Sequence, residues 1–139
     1  MNHKKHKVIC LFVLLLYILT VLYLTIFRLN FHYDERQLNL TLFTDLINVF
    51  RNVRGGEFLR LFFGNIGWFV PFGFLLPMLL KRKSLFFTMA LGLMLSFIIE
   101  STQFISFKGV AELDDLILNT CGVAIGYLLF KLSQKNILR

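Results

Sequence analysis

The stretch SFIIESTQF, Ser96 to Phe104, sets a carboxylate and an amide inside an apolar run that extends from Leu85 to Ile105. A run of that length can cross the hydrocarbon core of a bilayer as one helix. A carboxylate within such a helix costs about 3 kcal/mol on insertion scales, so Glu100 calls for a partner or a task. Thr88, Gly92, Ser96, Glu100 and Gln103 step by four, four, four and three, which puts them on one stripe of the helix.

Three further apolar runs flank this one: Val8 to Phe27, about Leu61 to Leu80, and about Leu113 to Leu132. Each is near the length a spanning helix needs. The fold class expected is therefore an all-α membrane protein of four transmembrane helices, a single domain over residues 1–139. The first run follows Lys4, Lys5 and Lys7 but is longer than a signal-peptide core and lacks a small-residue cleavage site, so a retained span is expected.

The charge distribution gives an orientation. The N-terminus, the 81–83 loop and the C-terminal end carry three bases each and no acid. In a four-span chain these segments share one side, and their Lys/Arg excess marks it as cytoplasmic. The excess of 15 bases over 8 acids thus reads as a topology signal and not as a nucleic-acid footprint. Cys10 and Cys121 lie in apolar runs with no CxxC or paired His, so they read as small buried hydrophobes, and no metal or cofactor is expected.

Between the first two spans, Leu42, Phe43, Leu46, Ile47, Phe50 and Val53 recur at helical steps, with Asp45, Asn48 and Asn52 opposite. This predicts an extracytoplasmic interfacial helix over about 41–54, capped by Thr41 or Thr44 and stopped by Gly55-Gly56; a re-entrant hairpin is the alternative. Polar residues within the spans gather toward the same outer side: Asn65, Glu100, Gln103, Asp114, Asp115 and Asn119. Asp115, Asn119, Gly122 and Gly126 form a second stripe on the last span, and Ser96, Gly122 and Gly126 are the small residues expected to pack helices closely. Pro71 and Pro77 are expected to bend the second span and free backbone carbonyls. The outcome is a candidate pocket open to the outer leaflet, walled by Asn65, Glu100, Gln103, Asp115 and Asn119. The plainer reading is that these groups bind one another, and that Asp114 and Asp115 serve only as acids at a helix N-terminus.

These residues carry a resemblance. Asn65 to Pro77 (N-x-x-x-F-x-P-F-G-F-L-L-P), Ser96 to Gln103 (S-x-x-x-E-x-x-Q) and Asp114 to Gly122 (D-D-x-x-x-N-x-x-G) follow one another as in the VanZ-like family, and LNLTLF, Leu38 to Phe43, is similar to the segment before its second span. The resemblance covers roughly Leu38 to Tyr127. It implies a bacterial multi-pass protein of the cytoplasmic membrane with an accessory role in resistance to teicoplanin and related lipid-bearing glycopeptides. One departure stands out: many members carry an arginine and an aspartate shortly before the last helix, where FKGVAELDD has Lys108 and Glu112. Lysine brings charge without arginine's bidentate fork.

Two classes of function remain open at this point. One is a binding protein whose partners are membrane lipid and a lipoglycopeptide or lipid-linked wall precursor. The other is an intramembrane enzyme acting on a lipid or lipid-linked cell-wall intermediate, with Glu100 moving a proton beside Asp115. No nucleophile–base pair or His cluster supports the second, so no catalytic residue is assigned. Transport ranks last, because the inner halves of the spans offer no polar path.

Overall fold

The computed structural model describes residues 3–26, 33–44, 47, 55–80 and 84–137. Helix α1 (His3–Ile26) is followed by strand β1 (Gln37–Asn39), helices α2 (Gly55–Leu79) and α3 (Leu85–Ser106), strand β2 (Val110–Glu112) and helix α4 (Leu113–Ile137). All four helices are long and apolar enough to cross a membrane. Large apolar side chains stand exposed around the bundle, among them Phe12, Phe63, Phe86 and Phe97. In water such a surface would drive association, whereas in lipid it is the solvated face.

Each helix extends past its expected apolar span at one end, because hydrogen bonding, not hydropathy, ends a helix. The second begins at Gly55 instead of Leu61, so Gly55-Gly56 opens a helix and does not merely stop one. The fourth continues to Ile137, five residues beyond Leu132. Helix α2 runs through both prolines. Its carbonyls gain side-chain partners from α1: the Tyr17 hydroxyl donates to Trp68 C=O, and the Cys10 thiol lies 3.6 Å from Leu75 C=O.

The core joins one narrow stripe from each helix: Leu14 and Val21 of α1, Phe69 and Phe72 of α2, Ile99 of α3 and Val123 of α4. The most extensive contact is between α2 and α4. Small residues make it possible. A Cβ on Gly122 or Gly126 would overlap the carbonyl oxygens of Ile66 and Val70, and one on Gly73 would overlap that of Val123. The two helices therefore meet backbone to backbone, the close approach that small residues permit between membrane helices, and at these positions only glycine fits. Gly92 of α3 is buried against the Val123 side chain in the same way.

A two-stranded parallel ribbon lies at one end of the bundle, where α1 and α3 finish and α2 and α4 begin. Gln37 pairs with Val110, Leu38 with Ala111 and Asn39 with Glu112. The sequence reading missed both strands. The alternation Leu38-Asn39-Leu40-Thr41-Leu42 is a period-2 signal, too short to outweigh the helical steps that follow it. After β1, the Asn39 side chain accepts from the Thr41 N–H and hydroxyl at 3.0 and 2.6 Å, turning the chain. Of the interfacial helix expected over 41–54 only 41–44 and 47 are described: Phe43 is left-handed (φ 55°), while Thr44 and Ile47 are helical and the Ile47 N–H donates to Phe43 C=O at 2.8 Å.

Candidate functional site

Helix α3 delivers its polar stripe to the bundle interior. Ser84 caps its start, its hydroxyl accepting from the Phe87 N–H, and Phe107 ends it in the left-handed region (φ 59°) with its N–H donating to Gln103 C=O. Between those limits Thr88, Gly92, Ser96 and Glu100 are all buried. Thr88 satisfies its hydroxyl on Ser84 C=O at 2.8 Å. The others meet neighbouring elements.

Each meeting is specific. Ser96 accepts a hydrogen bond from the Asn119 side-chain amide at 2.8 Å, linking α3 to α4. Glu100 accepts the Glu112 N–H at 3.0 Å, linking α3 to β2. Asn65 of α2 donates to Asp115 at the start of α4. Gln103 is different: its Oε1 is buried with no hydrogen-bond partner among the described residues. Gly109 passes so close to the Gln103 side chain that a Cβ there would sit 3.1 Å from three of its carbons.

These groups surround a cavity of about 130 Å³, lined by Asn65, Glu100, Gln103, Asp115 and Asn119 together with Val21, Trp68, Phe69 and Ile99. Side chains from all four helices thus contribute. The cavity is half polar in character and sits at the strand end of the bundle. Beside it, a larger groove of about 370 Å³ runs between β1, α3 and the start of α4. Leucines and phenylalanines such as Leu38, Leu40, Phe97, Phe104 and Leu116 form its walls, and Glu100 borders both spaces.

Asp114 parts from this group. Successive helix residues point about 100° apart, so Asp114 and Asp115 cannot face one cavity. Asp114 is buried and turned toward Phe43, whose N–H lies 2.9 and 3.0 Å from its two carboxylate oxygens. It lines neither space and fastens the segment after β1 to the start of α4. Of the residues expected to pack helices, Ser96 holds Asn119, whereas Gly122 and Gly126 face α2.

No sequence pattern singles out Arg36 as a site residue. Its guanidinium stacks over the rings of Phe104 and Phe107, 5.6 and 5.4 Å from their centroids. A cation over aromatic faces is favourable at such distances. Among the described residues no three of His, Cys, Asp and Glu are grouped to hold a metal ion.

A sequence profile of the VanZ/LLP1 family matches residues 14–134, from the middle of α1 to the end of α4. The chain belongs to that family. It is 35% identical over 136 residues to Protein VanZ of Enterococcus faecium, an alignment covering 94% of this chain and 78% of that one. No solved structure matches it. The VanZ/LLP1 match takes in every element that contributes to the cavity, and with the family comes its association with glycopeptide resistance. The motifs quoted for the resemblance fall on the cavity: the first contributes Asn65 and Phe69, the second Glu100 and Gln103, the third Asp115 and Asn119.

Proposed function

We propose that this VanZ-family protein resides in the bacterial cytoplasmic membrane with both termini inside, and protects the cell surface against teicoplanin-type lipoglycopeptides through the cavity at its outer end. The bases Lys4, Lys5, Lys7, Lys131 and Lys135 support the orientation, since the start of α1 and the end of α4 lie away from the ribbon. The observation that carries the reading is the convergence of Asn65, Glu100, Gln103, Asp115 and Asn119 on one cavity. Polar groups this deep in a membrane are expensive unless paired or used. Most are paired here, yet they leave space between them instead of closing on each other.

An apolar groove next to a polar cavity suits an amphiphile at the leaflet boundary. Cavities that bind small molecules combine apolar walls with a few convergent polar groups. Protection would follow from holding a lipid-bearing drug, or the lipid-linked material it acts on, at this site.

The test is expression of the chain in a glycopeptide-sensitive Gram-positive host. The inhibitory concentration of teicoplanin is expected to rise while that of vancomycin, which lacks a lipid tail, stays level. Equal protection against both drugs would remove the amphiphile from the account, and protection against neither, with the protein in the membrane, would overturn it.

A further inference from the structure

We infer that the cavity takes a primary ammonium group carried on a single-tailed amphiphile, with the tail in the adjoining apolar groove. This rests on the reading of the cavity as a binding site and names the chemistry of its ligand.

Two lining amides have each given one of their two N–H groups to the protein. The Asn65 amide N–H goes to Asp115, and the Asn119 amide N–H goes to Ser96. Acceptors are left over. Gln103 Oε1 is buried without a partner among the described residues. Glu100 uses one carboxylate oxygen on the Glu112 N–H and Asp115 uses one on Asn65. The second oxygen of each has no described partner. A donor that reaches these three oxygens together completes the site, since a buried acceptor left unmet is costly.

Charge points the same way. Two carboxylates line the cavity and no Lys, Arg or His is among its described lining residues. Carboxylates held away from water are neutralised by a proton or by a counter-charge, and an ammonium supplies both charge and donors. A phosphate or carboxylate head would meet repulsion here, whereas an ammonium with its three N–H donors would meet Glu100, Asp115 and Gln103 together.

Size narrows the ligand further. A cavity of about 150 Å³ accommodates one benzene. The present one, about 130 Å³, therefore admits an ammonium and the carbons next to it, but not a sugar ring or the core of a glycopeptide. The groove of about 370 Å³ lies within the range of ligand sites and shares Glu100 with the cavity. Lipid tails solvate an apolar chain as well as the groove does. Selection therefore falls to the head, and the groove orients the tail.

Trp68 makes the site observable, because it lines the cavity and is the single tryptophan of the chain. The full chain in phosphatidylcholine nanodiscs would be titrated with dodecylamine, dodecanol and dodecyl phosphate at matched membrane mole fractions, reading Trp68 emission. Dodecylamine is expected to give a saturable change, dodecanol a response needing about tenfold more amphiphile, and dodecyl phosphate none, the scale of a close charge pair. Glu100→Gln and Asp115→Asn should each weaken the amine response, and Lys131→Gln, at the opposite end, should leave it unaltered. A thermal melt of each variant checks folding, and either carboxylate variant suffices if the other fails. Saturation by dodecyl phosphate or dodecanol at the same mole fraction as the amine would overturn the ammonium assignment while leaving the cavity as a binding site. Saturation by none of the three would overturn both.

Discussion

Gly126→Leu is expected to cost more than about 3 kcal/mol of stability, at or above the upper end of what overpacking a core costs. The reason lies in what the new side chain meets. Its first carbon would overlap the Val70 carbonyl oxygen and crowd the Phe74 N–H, both main-chain atoms of α2 that no rotamer change can move. The helices would have to part along their whole contact, the most extensive in the bundle, and lose the packing that holds membrane helices together. Gly67 supplies the control. It lies on the same helix pair's other side with nothing within 4 Å of an added Cβ. Gly67→Ala should be neutral or stabilise by up to about 1 kcal/mol through helix propensity. Denaturant unfolding in detergent, with the amount of protein recovered from membranes, measures both. A Gly126→Leu midpoint equal to wild type would mean that α2 and α4 do not approach as described.

Asp114→Ala has the second largest expected effect, a loss of about 2–3 kcal/mol, the range for a hydrogen bond to a charged group whose partner is then left unmet. Asp114 is only 4% exposed, and both its oxygens serve Phe43, a residue held in the left-handed region. Without the carboxylate the Phe43 N–H has no described partner, and only the Ile47 N–H on its carbonyl holds that conformation, which is unfavourable for a phenylalanine. The loss should therefore be local, freeing the segment after β1 and loosening the ribbon. Cysteines at Leu38 and Ala111, partners in the parallel register, report it once Cys10 and Cys121 are replaced by serine. Neighbouring strands bring Cα atoms within disulfide range. Oxidation should join them readily in the wild-type background and poorly with Asp114→Ala. Equal joining would remove Asp114 from this role.

How far the sequence reaches is clearest in these two residues. The four spans were legible because each is a run near 20 apolar residues, and hydropathy reads such runs directly. The site was legible because Ser96, Glu100, Asp115 and Asn119 recur at helical steps, which fixes their faces before any packing is known. Which helix those faces meet was not legible. Gly122 and Gly126 share the stripe of Asn119 but face α2, and Gly73, the glycine on α2 that completes the contact, lies between Pro71 and Pro77, whose local signal is only a bend. Asp114 and Asp115 look alike in sequence, and only the ribbon, whose strands are three residues each, separates their tasks. Contacts such as Phe43 with Asp114 and Arg36 with Phe107 join residues about seventy apart, and no local pattern encodes them.

The central claim is that the cavity around Glu100 does the work. Its most direct test is Glu100→Gln, which keeps an oxygen for the Glu112 N–H and removes only the charge facing the cavity. Teicoplanin sensitivity would be compared for wild type, Glu100→Gln and Lys131→Gln at equal membrane abundance and equal unfolding midpoints. The account predicts that protection is lost with Glu100→Gln and kept with Lys131→Gln. Protection undiminished in Glu100→Gln would contradict it.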